Sequence, residues 1–182
     1  MKELKELEKR MYFFTIYQLT GIQIGIQCGH SALEYVQHFG KTDEYIDFIT
    51  NWKTWIILNG GTTNGQRDFE GISQGTLNQI GDQLQENDIP FSFFHEPDLN
   101  DALTALCFIC DERVFNREDY PDFIDYLVSI YRGEYSSQQI VELRLTAIET
   151  LKENEHYKEW IRSIGGVKNE FLRDLIKDKK LA

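Results

Sequence analysis

Three short stretches carry the side chains that can do chemistry. His95-Glu96-Pro97-Asp98-Leu99 sets an imidazole and two carboxylates within four positions, a set suited to general acid–base work or to accepting hydrogen bonds from a ligand. Gln27-Cys28-Gly29-His30 adds an amide, a thiol and a second imidazole. Asn59-Gly60-Gly61-Thr62-Thr63-Asn64-Gly65 follows an apolar run, as a phosphate loop would. It lacks the Lys-Ser/Thr that such a loop uses on phosphate and metal, so a surface loop or lid is expected instead.

Cysteine chemistry is excluded by a similar argument. Cys107-Phe108-Ile109-Cys110 has the C-x-x-C spacing. A redox pair would open a helix, whose dipole lowers the thiol pKa. This pair lies inside an apolar run of strand character, and residues three apart on a strand point to opposite faces. The two sulfurs are expected in the core and apart. A zinc site needs further ligands at short spacing, and there is no second cysteine pair. No metal and no cofactor are expected.

The elements that must position these groups follow from periodicity. Met11–Gln18 is aromatic and β-branched, which predicts a strand. Thr54–Leu58 is a continuous apolar run ended by Asn59-Gly60-Gly61, which predicts a buried strand. Pro90–Glu96 and Ala102–Cys110 complete four strands. Lys41–Trp52 and Thr76–Asn87 show helical spacing. Gly21–Val36 is ambiguous. Ile22, Ile24, Ile26 and Cys28 alternate as in a strand, whereas Cys28, Ala32, Tyr35 and Phe39 step as in a helix. The resulting order predicts a mixed α/β sheet with helices on its faces over 11–111, preceded by a solvated helical arm at 1–10. From 112 to 182 the apolar stripes are helical throughout, and Gly133 and Gly165-Gly166 read as stops.

Charge narrows the class of partner. The chain carries a net charge of -11. Positions 11–110 hold only Lys41, Lys53 and Arg67 as cations against twelve carboxylates, whereas nucleic-acid binders draw affinity from Lys and Arg on phosphates. The longest apolar runs are far shorter than the ~20 residues a membrane helix needs, so no membrane partner is expected. The charged MKELKELEKR opening lacks a secretory h-region, and the three cysteines read as reduced thiols. A cytoplasmic location is expected.

Taken together, the chain resembles the peptidyl-tRNA hydrolase 2 family over about residues 11–111, in a divergent bacterial or viral branch. That family's first helix carries glycine, lysine, a hydrophobic residue, two small residues and then Gln-Cys-x-His-x-Ala. Gln27-Cys28-Gly29-His30-Ser31-Ala32 stands in register with it. The resemblance implies a helix at the ambiguous stretch, with Gly25 and Gly29 letting it lie close on the sheet. It places the family's lysine at Gln23, its aspartate at Glu96 and a threonine at Thr104, and it replaces D-A-G-R-T by E-P-D-L-N.

The implied catalytic set is Glu96, His30 and Thr104. The implied ligand-binding set is Gln23, Gln27, His30, His95, Glu96, Asp98 and Asn59, with Tyr17 or Phe94 available to stack a base. Gln23 cannot carry the lysine's charge, and losing one such electrostatic group costs about 100- to 1000-fold in rate. The expectation is therefore a retained fold with a degenerate catalytic site that binds a nucleotide or nucleotide-like ligand, with sequestration of a signal as one version. An active peptidyl-tRNA hydrolase is the alternative, with tRNA held by Lys168, Arg173, Lys177, Lys179 and Lys180. An oligomeric scaffold is the third. The stripes at 120–131 and 138–151 further predict a homo-oligomer joined through Phe123, Leu127, Leu145, Ile148 or Trp160.

Overall fold

The computed structural model describes residues 6–64, 74–130, 136, 138–141 and 155–182. In chain order these form β1 (Lys9–Ile16), α1 (Gly21–Phe39), α2 (Asp43–Asp47), β2 (Thr54–Gly61), α3 (Thr76–Glu86), β3 (Phe91–Glu96), β4 (Ala102–Asp111), α4 (Glu112–Phe115), α5 (Phe123–Ile130), α6 (Glu155–Ser163) and α7 (Val167–Ile176). The protein is mixed α/β. Its four strands lie in the order β2-β1-β4-β3, with β1 parallel to β2 and antiparallel to β4, and β3 antiparallel to β4.

Each face of the sheet has its own core. Met11, Phe13, Cys107 and Ile109 pack with Cys28 and Tyr35 of α1 and with Phe48. The alternate residues look the other way: Tyr12 stacks on Phe108 at 5.9 Å, and α3 sends Leu77, Ile80 and Leu84 inward, all buried. Gly60 is needed on that side, because a Cβ there would come within 2.6 Å of Leu77. One sheet edge is covered by the chain's own tail. The Asn59 N–H donates to the Lys180 carbonyl at 2.9 Å and the Ala182 N–H to the Ile57 carbonyl at 3.1 Å. No strand pairs with the outer edge of β3 among the described residues.

The chain divides into two compact units. Met1–Asp111 with Leu175–Ala182 forms one, and Glu112–Asp174 the other. The second unit has its own core of Phe123, Leu127, Tyr157, Trp160 and Ile164. Its Arg173 is 1% exposed and donates to the carbonyls of Arg113 at 2.5 Å and Tyr120 at 2.8 Å and to Asp122 Oδ1 at 2.7 Å. Burial lowers the Arg173 pKa, against the pull of Asp122. No helix among the described residues is long and apolar enough to cross a membrane.

Several expectations are corrected. The first strand begins at Lys9 rather than Met11, and Glu6–Glu8 are not helical. Gly21–Phe39 is one helix, so the strand alternative fails: its period of two arises from isoleucines of which Ile22 and Ile26 are exposed. Gly25 and Gly29 do not face the sheet; a Cβ at either would meet nothing within 4 Å. The helix expected over Lys41–Trp52 is a short α2 followed by a π-helical turn, Phe48–Trp52, closed by Lys53 at φ 60°. Phe123, Leu127 and Trp160 are spent inside their own unit and cannot form the expected subunit contact. Leu145, Ile148 and most of 138–151 lie outside the described residues. The tail that begins at Leu175 belongs with the first unit, not with an extension.

Candidate functional site

The C-terminal ends of β1, β2 and β3 and the start of β4 share one end of the sheet. Two register irregularities fall there. One lies between Phe94 and His95, where Thr104 is the extra residue on β4, and the other between Thr15 and Ile16, where Gly60 is the extra residue on β2. Bulges of this kind re-aim a side chain. Here Thr104, fully buried, meets α1.

α1 brings the partner. It starts at Gly21 because Thr20 caps it: the Thr20 hydroxyl accepts from the Gln23 N–H at 3.4 Å, and Gln23 Oε1 accepts from the Thr20 N–H at 2.9 Å. That is a reciprocal capping box. One turn later Gln27 is buried, and Ser31 a turn beyond it contacts the Ser92 carbonyl at 3.5 Å. The inner face of the helix is therefore partly polar.

Gln27 joins two strands. Its Nε2 donates to Glu96 Oε2 at 2.6 Å, and its Oε1 accepts from Thr104 Oγ1 at 2.5 Å. An ionised carboxylate only accepts, which fixes the amide and makes Thr104 the donor. The hydroxyl has one proton, so its 3.2 Å contact with the Phe94 carbonyl is the lesser one. The chain Thr104 → Gln27 → Glu96 thus has a defined direction. Among the described residues Glu96 Oε1 has only a long 3.4 Å contact from the Asp98 N–H, which leaves it able to accept from a ligand or to orient water. His30, one turn along α1, sets its ring edge-on to Phe94 at 4.3 Å. Its buried Nδ1 has no hydrogen-bond partner among the described residues.

The remaining sequence-selected residues divide. His95 lies on the opposite face of β3, its Nδ1 donating to the Asp101 carbonyl at 2.7 Å. That bond puts the proton on Nδ1 and leaves Nε2 as the acceptor in the neutral ring. Asp98 is exposed in the turn after β3. Asn59 is spent on its own backbone, accepting from the Gly61 N–H at 2.8 Å. It is two strands from β4, about 10 Å at the usual strand spacing. Gln23 uses its carbonyl oxygen in the cap rather than at Glu96. The fold brings together Gln27, Thr104, Glu96 and, beside them, His30 and Phe94. The capping role of Gln23 was readable in Thr20-Gly21-Ile22-Gln23, which fits S/T-x-x-E/Q.

The cysteines are inert. Burial pushes the Cys28 thiol up to about 12 and the Cys107 thiol up to about 11. Cys110 is likewise raised by burial. All three are buried and in no disulfide. No cluster of three or more metal-ligating side chains occurs among the described residues. A cavity of about 440 Å³ lies away from Glu96, between α3 and β3, and of the sequence-selected residues only His95 lines it.

No model of a known protein family matches the chain, and no curated protein matches it at a significant level.

Proposed function

We propose that the first unit is a peptidyl-tRNA hydrolase 2-like domain, carrying a helical C-terminal extension, whose hydrolytic site is degenerate. It serves in the cytoplasm to bind a nucleotide or nucleotide-like ligand at Glu96. The observation that carries this reading is the Thr104–Gln27–Glu96 chain. It ends in a carboxylate with accepting capacity left over, and no cationic side chain bonds to Glu96 among the described residues. Such a site recognises N–H and O–H donors, as on a base edge or a ribose. His30 supplies a second polar edge, and Phe94 supplies apolar surface.

The start of α1 offers a place for phosphate. That helix carries no acidic side chain in its first turn, and a helix N-terminus favours anions. One turn, about 5.4 Å of helix, separates Gln23 from Gln27. Gln23 adds a neutral amide there and no charge.

Hydrolysis is the second reading, favoured by one feature: a carboxylate held by Gln27 could orient an attacking water. The proposal expects release of labelled peptide from peptidyl-tRNA at least 100-fold slower than by an active member of the family, in line with the loss of one electrostatic group. A comparable rate would establish hydrolysis instead.

Binding is tested by calorimetry with a panel of nucleoside monophosphates and cyclic dinucleotides. Glu96→Gln should weaken a binding probe about tenfold or more, since bonds to charged groups are worth ~1.5–3 kcal/mol. A panel that does not bind, or binds Glu96→Gln equally well, overturns the reading. We also propose self-association, through the exposed α1 side chains Ile22, Ile26, Leu33 and Val36. A monomer by light scattering at micromolar concentration ends that part.

A further inference from the structure

We propose that the groove between α3 and β3 is a second binding site, for a small neutral purine with adjacent N–H donors, guanine being the best match. It lies on the opposite face of the sheet from Gln27 and does not depend on the reading of Glu96.

The groove has the size for it. Its volume is about 440 Å³, within the ~300–1,000 Å³ of small-molecule sites. One wall is aromatic. Phe91, Phe93 and His95 alternate along β3 and share this face, with Phe93 half exposed and in edge contact with His95 at 5.5 Å. An exposed phenyl ring on an open edge strand offers a stacking surface to a flat heterocycle.

The facing wall is polar and selective by charge. Asp82 lines the groove, and its Oδ2 accepts from Gln74 Nε2 at 2.9 Å, which steadies the carboxylate. Two adjacent N–H groups, such as those on the Watson–Crick edge of guanine, satisfy a carboxylate bidentately. Asn78 accepts from the Thr63 hydroxyl at 3.2 Å through its Oδ1, so its amide is left to donate. His95, with Nδ1 committed to the Asp101 carbonyl, presents Nε2 as an acceptor. No Lys or Arg is among the described lining residues. A phosphate therefore gains nothing here and faces Asp82. A stretch of RNA is disfavoured for the same reason.

Gly81 supplies an independent reason to read the groove as kept open. It sits inside α3, where glycine is the least favourable residue apart from proline. Packing does not require it, since a Cβ there would make only an ordinary 3.8 Å contact with Leu106. It lines the groove, and any larger side chain would take up space a ligand would occupy.

The experiment is calorimetric titration of the full chain with guanosine, with inosine as comparison because it lacks the 2-amino donors. Guanosine should bind saturably at sub-millimolar concentration. Inosine should bind about tenfold or more weakly, the cost of one lost bond to a charged group. In a Glu96→Gln background, Gly81→Met should abolish guanosine binding while the thermal unfolding midpoint holds or rises, because methionine is a better helix former. Asp82→Asn should erase the preference over inosine. Glu96→Gln, which removes only what the α1 face contributes, should retain saturable guanosine binding. Absence of saturable guanosine binding overturns the proposal. So does a folded Gly81→Met protein in the Glu96→Gln background that binds normally. Loss of guanosine binding in Glu96→Gln but not in Gly81→Met would assign the nucleoside to the α1 face and also overturn it.

Discussion

The two helices that cover the sheet of the first unit are built on different plans. α3 puts its apolar residues inside: Leu77, Ile80 and Leu84 are all buried, and its outer side chains are polar. α1 is mixed: it buries Cys28 and Tyr35 in the core, yet it also buries polar side chains and exposes aliphatic ones. It directs Gln27 and Ser31 inward, and it leaves Ile22 78% and Leu33 69% exposed, with Ile26 and Val36 beside them. A helix that only had to be buried would follow the first plan. The second plan places a polar network in the core and accepts exposed aliphatic surface. The difference marks α3 as the packing helix and α1 as the helix that positions chemistry.

Mutations can test that contrast, and the largest effect belongs to α3. Leu84→Ala should cost about 3 kcal/mol, the middle of the range for emptying a leucine site in a core. Leu33→Ala on α1 should change stability by less than about 0.5 kcal/mol. Urea denaturation of both variants is the measurement. Equal costs would mean that Leu33 is covered by something, such as a second copy of the chain.

Gln27→Ala comes next. It strands the Glu96 carboxylate and the buried Thr104 hydroxyl. A loss of about 2 kcal/mol is expected, together with the ligand binding assigned to Glu96. Gln27→Glu should be no better, because it sets two carboxylates together. A Gln27→Ala protein of unchanged stability would show that the network contributes nothing to the fold.

The smaller effects have distinctive signs. Gly25→Ala should stabilise the protein by about 1 kcal/mol, because the site is helical and nothing lies within 4 Å of the added methyl. A loss of stability instead would indicate a close neighbour on that face. Glu44 gives a pH signature. Burial raises its pKa above the ordinary 4.5, Lys9 partly opposes this, and Asp111 adds to it. Between the ordinary and the raised value, the native state holds a proton that the unfolded chain has lost. Stability from this group is therefore complete below about pH 4.5 and falls as pH rises through the native pKa. Glu44→Gln should flatten that decline in unfolding midpoints measured upward from pH 4.5. An unaltered slope would assign the decline to other groups.

Much of the sheet was readable because its strands carry continuous apolar runs. Thr54–Leu58 and Ala102–Cys110 have no competing helical pattern, and both are strands. The two units part after Asp111, where the strand pattern stops. The ends of elements were less legible. Lys9 and Arg10 are charged yet extend β1, because Lys9 bonds to Asp47 and Arg10 to Glu8 at 2.7 Å. The inward turn of Gln27 could not be read from α1 alone, since a buried glutamine looks misplaced until its partners are known. Arg173 stands in the sequence among the C-terminal cations that the hydrolase alternative needs for tRNA, and only the three acceptors around it explain its burial.

By itself, the sequence determined the local matters: the strand propensities, the capping pattern at Thr20 and Gln23, the spacing of the cysteines and the net acidity. These depend on residues within a turn or on simple sums of charge. The tertiary structure decided which polar groups meet. Gln27 is 69 positions from Glu96 and 77 from Thr104, and their contact requires β3 and β4 to pair with a bulge at Thr104 while α1 lies across them. It also decided that Glu96 and His95, adjacent in sequence, serve opposite faces of the sheet. The pleat sends successive side chains to opposite sides, and only the packed helices give each side its own chemistry.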